Sequence, residues 1–298
     1  DREVSVMFNG ASFGKRPDVL LYESDVLDCA KQGATSFHVS EERWQDPLRI
    51  ETGMTRKQLD ELRVGWDLLL DIDSAFLEFS RSTALLLLDA MRFHNIKNVG
   101  VKYSGNKGFH LMIPFEAFPS KVGGVETRLL FPEGPRMIAE YLSQLIKTPL
   151  REELLQLSSM QEILDATKKK KEEITDKSGI LNPLEVVDID TILISSRHLF
   201  RSPYSLNEKT GLVSVPITAQ QVKTFSPRSA HMENIDAIQP YLASVESGEA
   251  SHLLIQSFDY TKKKQTATPM VSPQQLKEEQ EHKKRPNQAI TTKVPEEL

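Results

Sequence analysis

The 298-residue chain has material for one large domain or two modest ones, and its 37 basic and 42 acidic side chains leave a net charge of −5; overall charge marks no nucleic-acid binder, so any such role must rest on a local basic surface. A single cysteine, Cys29, excludes an intramolecular disulfide framework and a Cys-rich zinc site and fits a reducing compartment, and the seven histidines are scattered without metal-ligand spacing. No apolar run approaches the roughly 18 residues that span a bilayer and no signal-like segment opens the chain; the expected location is cytoplasmic, with no membrane partner, and an upstream piece is expected because the first residue is Asp1.

Val4-Ser5-Val6-Met7-Phe8 reads as a strand, and Asn9-Gly10 with Phe13-Gly14-Lys15-Arg16-Pro17 as loop. Residues 18–31 carry helical spacing through Leu20, Leu21, Val26 and Leu27, and 34–39 look extended. Thr55-Arg56-Lys57-Gln58 has the pattern of a capping box, with Leu59 and Leu62 as a small apolar face behind it. That helix delivers the chain to Asp67-Leu68-Leu69-Leu70-Asp71-Ile72-Asp73, three apolar residues running into two carboxylates spaced by one. A strand has period two, so Asp71 and Asp73 project from the same face at its end. Asp67 reads as a solvated residue where the strand begins. Like charges so close are tolerated where solvent or a divalent cation neutralises them, and hard oxygen ligands at this spacing suit Mg²⁺ or Mn²⁺. The run 82–93, with Leu85-Leu86-Leu87-Leu88, Met91 and Phe93, is too apolar all round for a surface helix and is expected to pack on a sheet.

Two strand-like stretches, 99–103 and 109–114, bracket Ser104-Gly105-Asn106-Lys107-Gly108 and predict a hairpin whose glycines supply positive φ or close backbone approach. Residues 136–177 turn helical, with a break expected at Pro149, and are read as a helical insertion. Within it, the four lysines 168–171 followed by Glu172 and Glu173 read as a solvated helix face. Residues 184–194 return to strand, rich in Val and Ile and carrying Asp188 and Asp190 at period two. Arg197-His198-Leu199-Phe200-Arg201 follows at once, then a turn through Gly211 and a further strand over 212–217. From 261 to 298 the chain has few apolar residues and reads as a mobile polar tail, which leaves 1–260 as the folded domain.

The Asp-x-Asp strand, the glycine-containing loop through His110 and the second acidic strand with its Arg-His-x-x-Arg sequel match what metal-dependent nucleotidyl transfer needs: carboxylates for two ions and basic groups for phosphate oxygens. These motifs, in this order, resemble the small, catalytic subunit of archaeal and eukaryotic DNA primases, in the archaeo-eukaryotic primase superfamily. The segment RHLFRSPYSLNEKTGLVSVPI, 197–217, and the opening Arg2-Glu3-Val4-Ser5-Val6 extend the resemblance over most of 1–217. It implies a mixed α/β fold: a primase-type catalytic domain with a largely antiparallel central sheet, flanking helices, and the 136–177 insertion standing where the family carries a small zinc-binding knob. The Cys and His ligands of that knob are missing, so no zinc site is expected.

The function implied is template-directed synthesis of short primers on single-stranded DNA from nucleoside triphosphates, with a primase large subunit as partner. A stand-alone primase-polymerase of repair or replication restart, and a catalytically silent nucleic-acid-binding subunit, are the alternatives. Intact carboxylates speak against silence, because holding them together carries an electrostatic cost. Carried over position by position, the resemblance makes Asp71 and Asp73 catalytic metal ligands and Asp190 the third. The spacing from that acid to Arg197-His198 is off by one, so Asp188, on the same strand face, stays open as the alternative. Ser104, Lys107 and His110 would contact the triphosphate, helped by Arg2 and Arg201, with His198 nearby. Asn207 stands where the family often has His; it can hydrogen-bond but carries no charge.

Overall fold

The alternation along 67–73 decides which way the central sheet faces. In the computed structural model, which describes residues 1–10, 12–190, 194–242 and 244–267, the chain forms β1 (Val4–Phe8), β2 (Ser12–Phe13), α1 (Glu23–Lys31), β3 (Ala34–Ser40), β4 (Glu42–Trp44), α2 (Arg56–Leu62), β5 (Arg63–Trp66), β6 (Leu68–Ser74), α3 (Leu77–Phe93), β7 (Gly100–Tyr103) and β8 (Phe109–Ile113). Then come β9 (Lys121–Val122), β10 (Val125–Glu126), α4 (Glu133–Leu157), α5 (Met160–Thr167), α6 (Lys171–Ile174), β11 (Val187–Ile189), β12 (Leu199–Arg201), β13 (Pro216–Ile217) and α7 (Ser251–Ala267). A five-stranded sheet has the order β11-β6-β8-β7-β13 and a four-stranded sheet the order β12-β3-β1-β2, with β4-β5 and β9-β10 as ribbons. The strands of both sheets pair antiparallel. The expected mixed α/β fold with a largely antiparallel central sheet is what the chain adopts.

Leu68, Leu70 and Ile72 point from one face of β6 into the main core, where α3 contributes Leu87 and Met91 and α4 contributes Ile138 and Leu142, all fully buried. Each such side chain is worth about 1.5–3 kcal/mol of apolar burial, so this face commits the sheet to the helices. Leu69 leaves from the other face and packs with Met112 of β8, Phe200 of β12 and Tyr241, against Val39 of β3. The four-stranded sheet therefore covers the first sheet at Leu69. Two and four residues on, the same face presents Asp71 and Asp73.

The capping box at Thr55 forms as expected: Thr55 Oγ1 accepts from the Gln58 amide at 3.4 Å, and Gln58 Oε1 accepts from the Thr55 amide at 2.8 Å. Helix α1 starts later than the 18–31 spacing suggested and buries none of its residues. The break expected at Pro149 does not occur, since α4 runs through it from Glu133 to Leu157. Leu150 and Leu154, beyond the proline, are fully buried in the same core as Ile138 and Leu142. That packing outweighs a lost helical hydrogen bond and a ring clash of about 3 kcal/mol.

The strand expected over 184–194 is shorter, Val187–Ile189, preceded by a 3₁₀ turn at Pro183–Glu185; 191–193 lie outside the described residues. That over 212–217 contracts to Pro216–Ile217, with Val213 in an isolated bridge to Leu206. Two compact units divide the chain, Asp1–Tyr260 and Thr261–Leu298. The tail expected over 261–298 overlaps α7 as far as Ala267, and its remainder, 268–298, lies outside the described residues.

Candidate active site

Register across the five-stranded sheet brings the singled-out residues into two rows. His110 of β8 stands opposite Asp71 of β6, and Lys102 of β7 opposite His110. The Asp190 amide donates to the Asp71 carbonyl at 2.9 Å, so Lys102, His110, Asp71 and Asp190 follow one another across one face. In the next row Asp188 stands opposite Asp73, with the turn of the β7–β8 hairpin alongside. A Cβ on Gly108 would collide with the Ile72 carbonyl oxygen, so only glycine lets the hairpin return this close to β6.

The rows border a cavity of about 310 Å³ that is lined by both aspartate pairs and by Ser104, His110, His198 and Arg201. Nine residues singled out from sequence, Asp188 and Asn207 included, thus meet in one place. Lys107 and Arg2 do not line it. Lys107 is exposed and donates from Nζ to the Ala75 carbonyl at 3.0 Å, although its charge still bears on Asp73. Arg2 donates to the Ser40 carbonyl at 2.7 Å and pairs with Asp67, away from the cavity.

Asp67 itself corrects the expectation of a solvated residue. It is fully buried, pairs with Arg2 and with Arg43 Nη2 at 2.7 Å, and accepts the Phe115 amide at 2.8 Å. Its partners come from segments remote in sequence, which the local reading of 67–73 does not contain.

Burial pushes the Asp71 carboxyl up; Lys102 works against the rise, and Asp73, Asp190 and Asp188 add to it. Burial likewise raises Asp73, opposed by the Ser74 amide, which Asp73 accepts at 2.9 Å, and by Lys107 and Lys209. Asp188 is raised by burial and by Asp190 and Asp73, with Lys169 opposing. Burial, then Lys102, Arg201 and His198, hold His110 well below the ordinary histidine value, so it is neutral at pH 7. Its Nε2 lies 3.3 Å from Asp71 Oδ1, and its buried Nδ1 has no hydrogen-bond partner among the described residues. Lys102 is fully buried, with Nζ donating to Ser214 Oγ at 2.7 Å and lying over the rings of Phe200 and Tyr241.

Ser104 Oγ accepts from the amides of Asn106 at 3.3 Å and Gly108 at 3.2 Å, so the same hydroxyl closes the hairpin and lines the cavity. Arg201 is fixed at both ends of its fork: Nη1 donates to the Leu206 carbonyl and Nη2 pairs with Glu208 Oε2, each at 2.7 Å. Glu208 also accepts from Ser36 and lies 3.3 Å from His38 Nε2. His38, on β3, lines the cavity and was missed in the sequence; Ser36, His38 and Ser40 alternating along one strand were the available signal. Asn207 is buried at the wall, its Oδ1 accepting from the Lys209 amide at 3.0 Å.

Four neighbouring carboxylates, of which Asp71, Asp73 and Asp188 are raised by burial, form a hard-oxygen donor set of the kind Mg²⁺ and Mn²⁺ take. Among the described residues no three His, Cys, Asp or Glu side chains converge on one point as they are placed; the fit is one of donor chemistry and strand register. No helix among the described residues is long and apolar enough to cross a membrane.

An antiparallel sheet with paired carboxylates on its edge strand and the strand beside it, and imidazole, hydroxyl and guanidinium groups around them, defines the class: an α/β protein built to gather negative charge on a sheet face. A family model for the DNA primase small subunit matches residues 67–219, just over half of the chain, and the chain belongs to that family. It is 29% identical over 185 residues to the DNA primase small subunit PriS of Pyrobaculum aerophilum, a match covering 55% of this chain and 56% of that one. The chain thus spans about half the length of this curated relative. Among solved structures it is similar to the polymerase domain from Mycobacterium tuberculosis Ligase D in complex with DNA, at 15% identity and a TM-score of 0.45, over 87% of this chain and 81% of that one.

Proposed function

We propose that the chain is the catalytic subunit of a DNA primase, joining nucleotides on a single-stranded DNA template by two-metal nucleotidyl transfer. The observation that carries this reading is the double row in which Asp71 and Asp73 meet Asp190 and Asp188 beside His110 and Ser104 in one cavity. Asp71, Asp73 and Asp190 would hold the divalent cations, with Asp188 beside them. When bound, such ions supply activation of an attacking 3′-hydroxyl and neutralisation of the triphosphate.

The protein's own groups then have separable tasks. Ser104 at the hairpin and neutral His110 present hydrogen-bonding groups where a phosphate oxygen would lie. Arg201 presents a guanidinium whose rotamer is already fixed by Leu206 and Glu208, so little side-chain entropy is lost when it meets a phosphate. Lys102, in the same row as His110 and Asp71, is pushed down to about 7 by burial, and in its charged form it favours the anionic form of Asp71. Family membership, and the small-subunit name of the relative, support a large-subunit partner.

Template-dependent incorporation of labelled nucleotide, with Mg²⁺ and with Mn²⁺, tests the reading. Asp71→Ala combined with Asp73→Ala should abolish incorporation, and activity surviving both changes overturns it. Of the two candidate third ligands, Asp190→Ala should cost more than Asp188→Ala, because Asp190 stands beside Asp71 in the row that also holds His110. Arg201→Ala should act chiefly by raising the apparent KM for nucleotide.

A further inference from the structure

The cavity has an outlet along the edge strand β11. A groove of about 440 Å³ shares Asp73 and Asp188 with the cavity and passes Ala75, Ala166 and Thr167 to reach Lys169. Leu184, Glu185, Val186 and Val187 also line it, and the small side chains at 75, 166 and 167 let a polymer backbone approach the protein closely. Lys169 donates from Nζ to the Glu185 carbonyl at 2.7 Å, and its charge reaches Asp188. Lys107, whose Nζ donates to the Ala75 carbonyl at 3.0 Å, and Lys209 also bear on Asp73.

The lysines at 168–171 are solvated, as their pattern predicted, but they do not share one helix face. Lys168 ends α5 in the left-handed conformation, φ 58°, and Lys170 is the N-cap of α6. The chain turns between two short helices, and all four lysines are exposed at the turn beside the groove. Two of the neighbouring acids are already engaged: Glu173 accepts the Lys170 amide at 2.6 Å, and Glu185 lies 3.5 Å from Lys169 Nζ. A concentrated cluster of ammonium groups at the end of a groove leading from a nucleotidyl-transfer site is suited to phosphodiesters.

We propose that this groove carries the backbone of a nucleic-acid strand away from the carboxylates, with Lys168, Lys170 and Lys171 neutralising its phosphates. The inference rests on the nucleotidyl-transfer reading for what occupies the cavity. Template strand and nascent primer present the same backbone chemistry, and the test separates them.

The variant is Lys168→Gln, Lys170→Gln and Lys171→Gln together. Its control is Lys31→Gln, Lys57→Gln and Lys223→Gln, also exposed and of equal charge change. Binding is read by fluorescence anisotropy with labelled oligothymidylate across a salt series, thermal melting confirming that both variants fold. Neutralised phosphates release counterions, so the variant should bind more weakly and its slope of log K against log salt should shrink by about 2 for three lost contacts. A wild-type slope and affinity, or an equal loss in the control, overturns the proposal. Loss on bare oligonucleotide assigns the groove to the template, and loss confined to an annealed primer–template assigns it to the primer. If the wild-type chain incorporates no nucleotide yet the variant alone loses DNA affinity, the catalytic reading fails and the groove stands. Full incorporation by the wild type with unaltered binding by the variant removes the groove alone.

Discussion

Asp67 and Asp71 lie four residues apart on one stretch of chain and meet opposite surroundings. Asp67 is enclosed by two guanidiniums and a backbone amide, whereas Asp71 sits among other carboxylates. Removing one partner of a buried ionic cluster strands the others, so Asp67→Ala should lower stability by about 3–5 kcal/mol, read as a fall in the urea midpoint. Glu208 makes a pH prediction. Burial would raise its carboxyl, but the hydrogen bonds from Arg201 and Ser36 outweigh that and hold it at about 2, against an ordinary value of 4.5. Its contribution to stability is therefore complete above about pH 4.5 and is lost as pH falls from there through 2. Glu208→Gln should flatten that acid limb of the stability profile and leave the neutral region with a constant offset; an unchanged limb would count against the pairing. Asp71 and Asp73 were readable because their shared face follows from period two alone. Asp67 was not, because Arg43 lies 24 residues away from it and Arg2 lies 65.

At the scale of elements, short-range chemistry again separates what could be read from what could not. The α2 start was visible because a capping box is complete within four residues. The passage of α4 through Pro149 was not, because what holds it is burial of Leu150 and Leu154 against a core built by other segments. Pro149 is exposed and lies well inside the helix. Pro149→Ala restores an amide donor and should stabilise the protein by about 1–3 kcal/mol, seen as a melting temperature several degrees higher. Equal or lower stability would mean that the helix is shaped around the ring. The lysine run at 168–171 is solvated as expected but does not lie on one helix, because composition alone does not show where one helix stops and the next begins.

At the scale of the molecule, the cavity exists because two sheets meet over Leu69, Met112 and Phe200, which sets His38 and Arg201 of one sheet facing the aspartates of the other. Which surfaces meet is a long-range property: strand alternation supplied the acidic face of β6, while His38 and Glu208 became part of the site only through tertiary contact. Net charge likewise concealed local contrast, since a chain of −5 overall keeps four lysines at one turn. The two acidic strands differ in one further respect. In the sheet order β6 is hydrogen-bonded on both sides, whereas β11 is three residues long and lies at the margin. The carboxylates are thus divided between an inner strand and an edge strand. Val187 and Ile189 of β11 are buried in the same core as Leu70, so its few hydrogen bonds to β6, each worth about 1 kcal/mol net, are backed by apolar packing. Both sides of the acidic vice are anchored, one by sheet pairing and the other by the core beneath it.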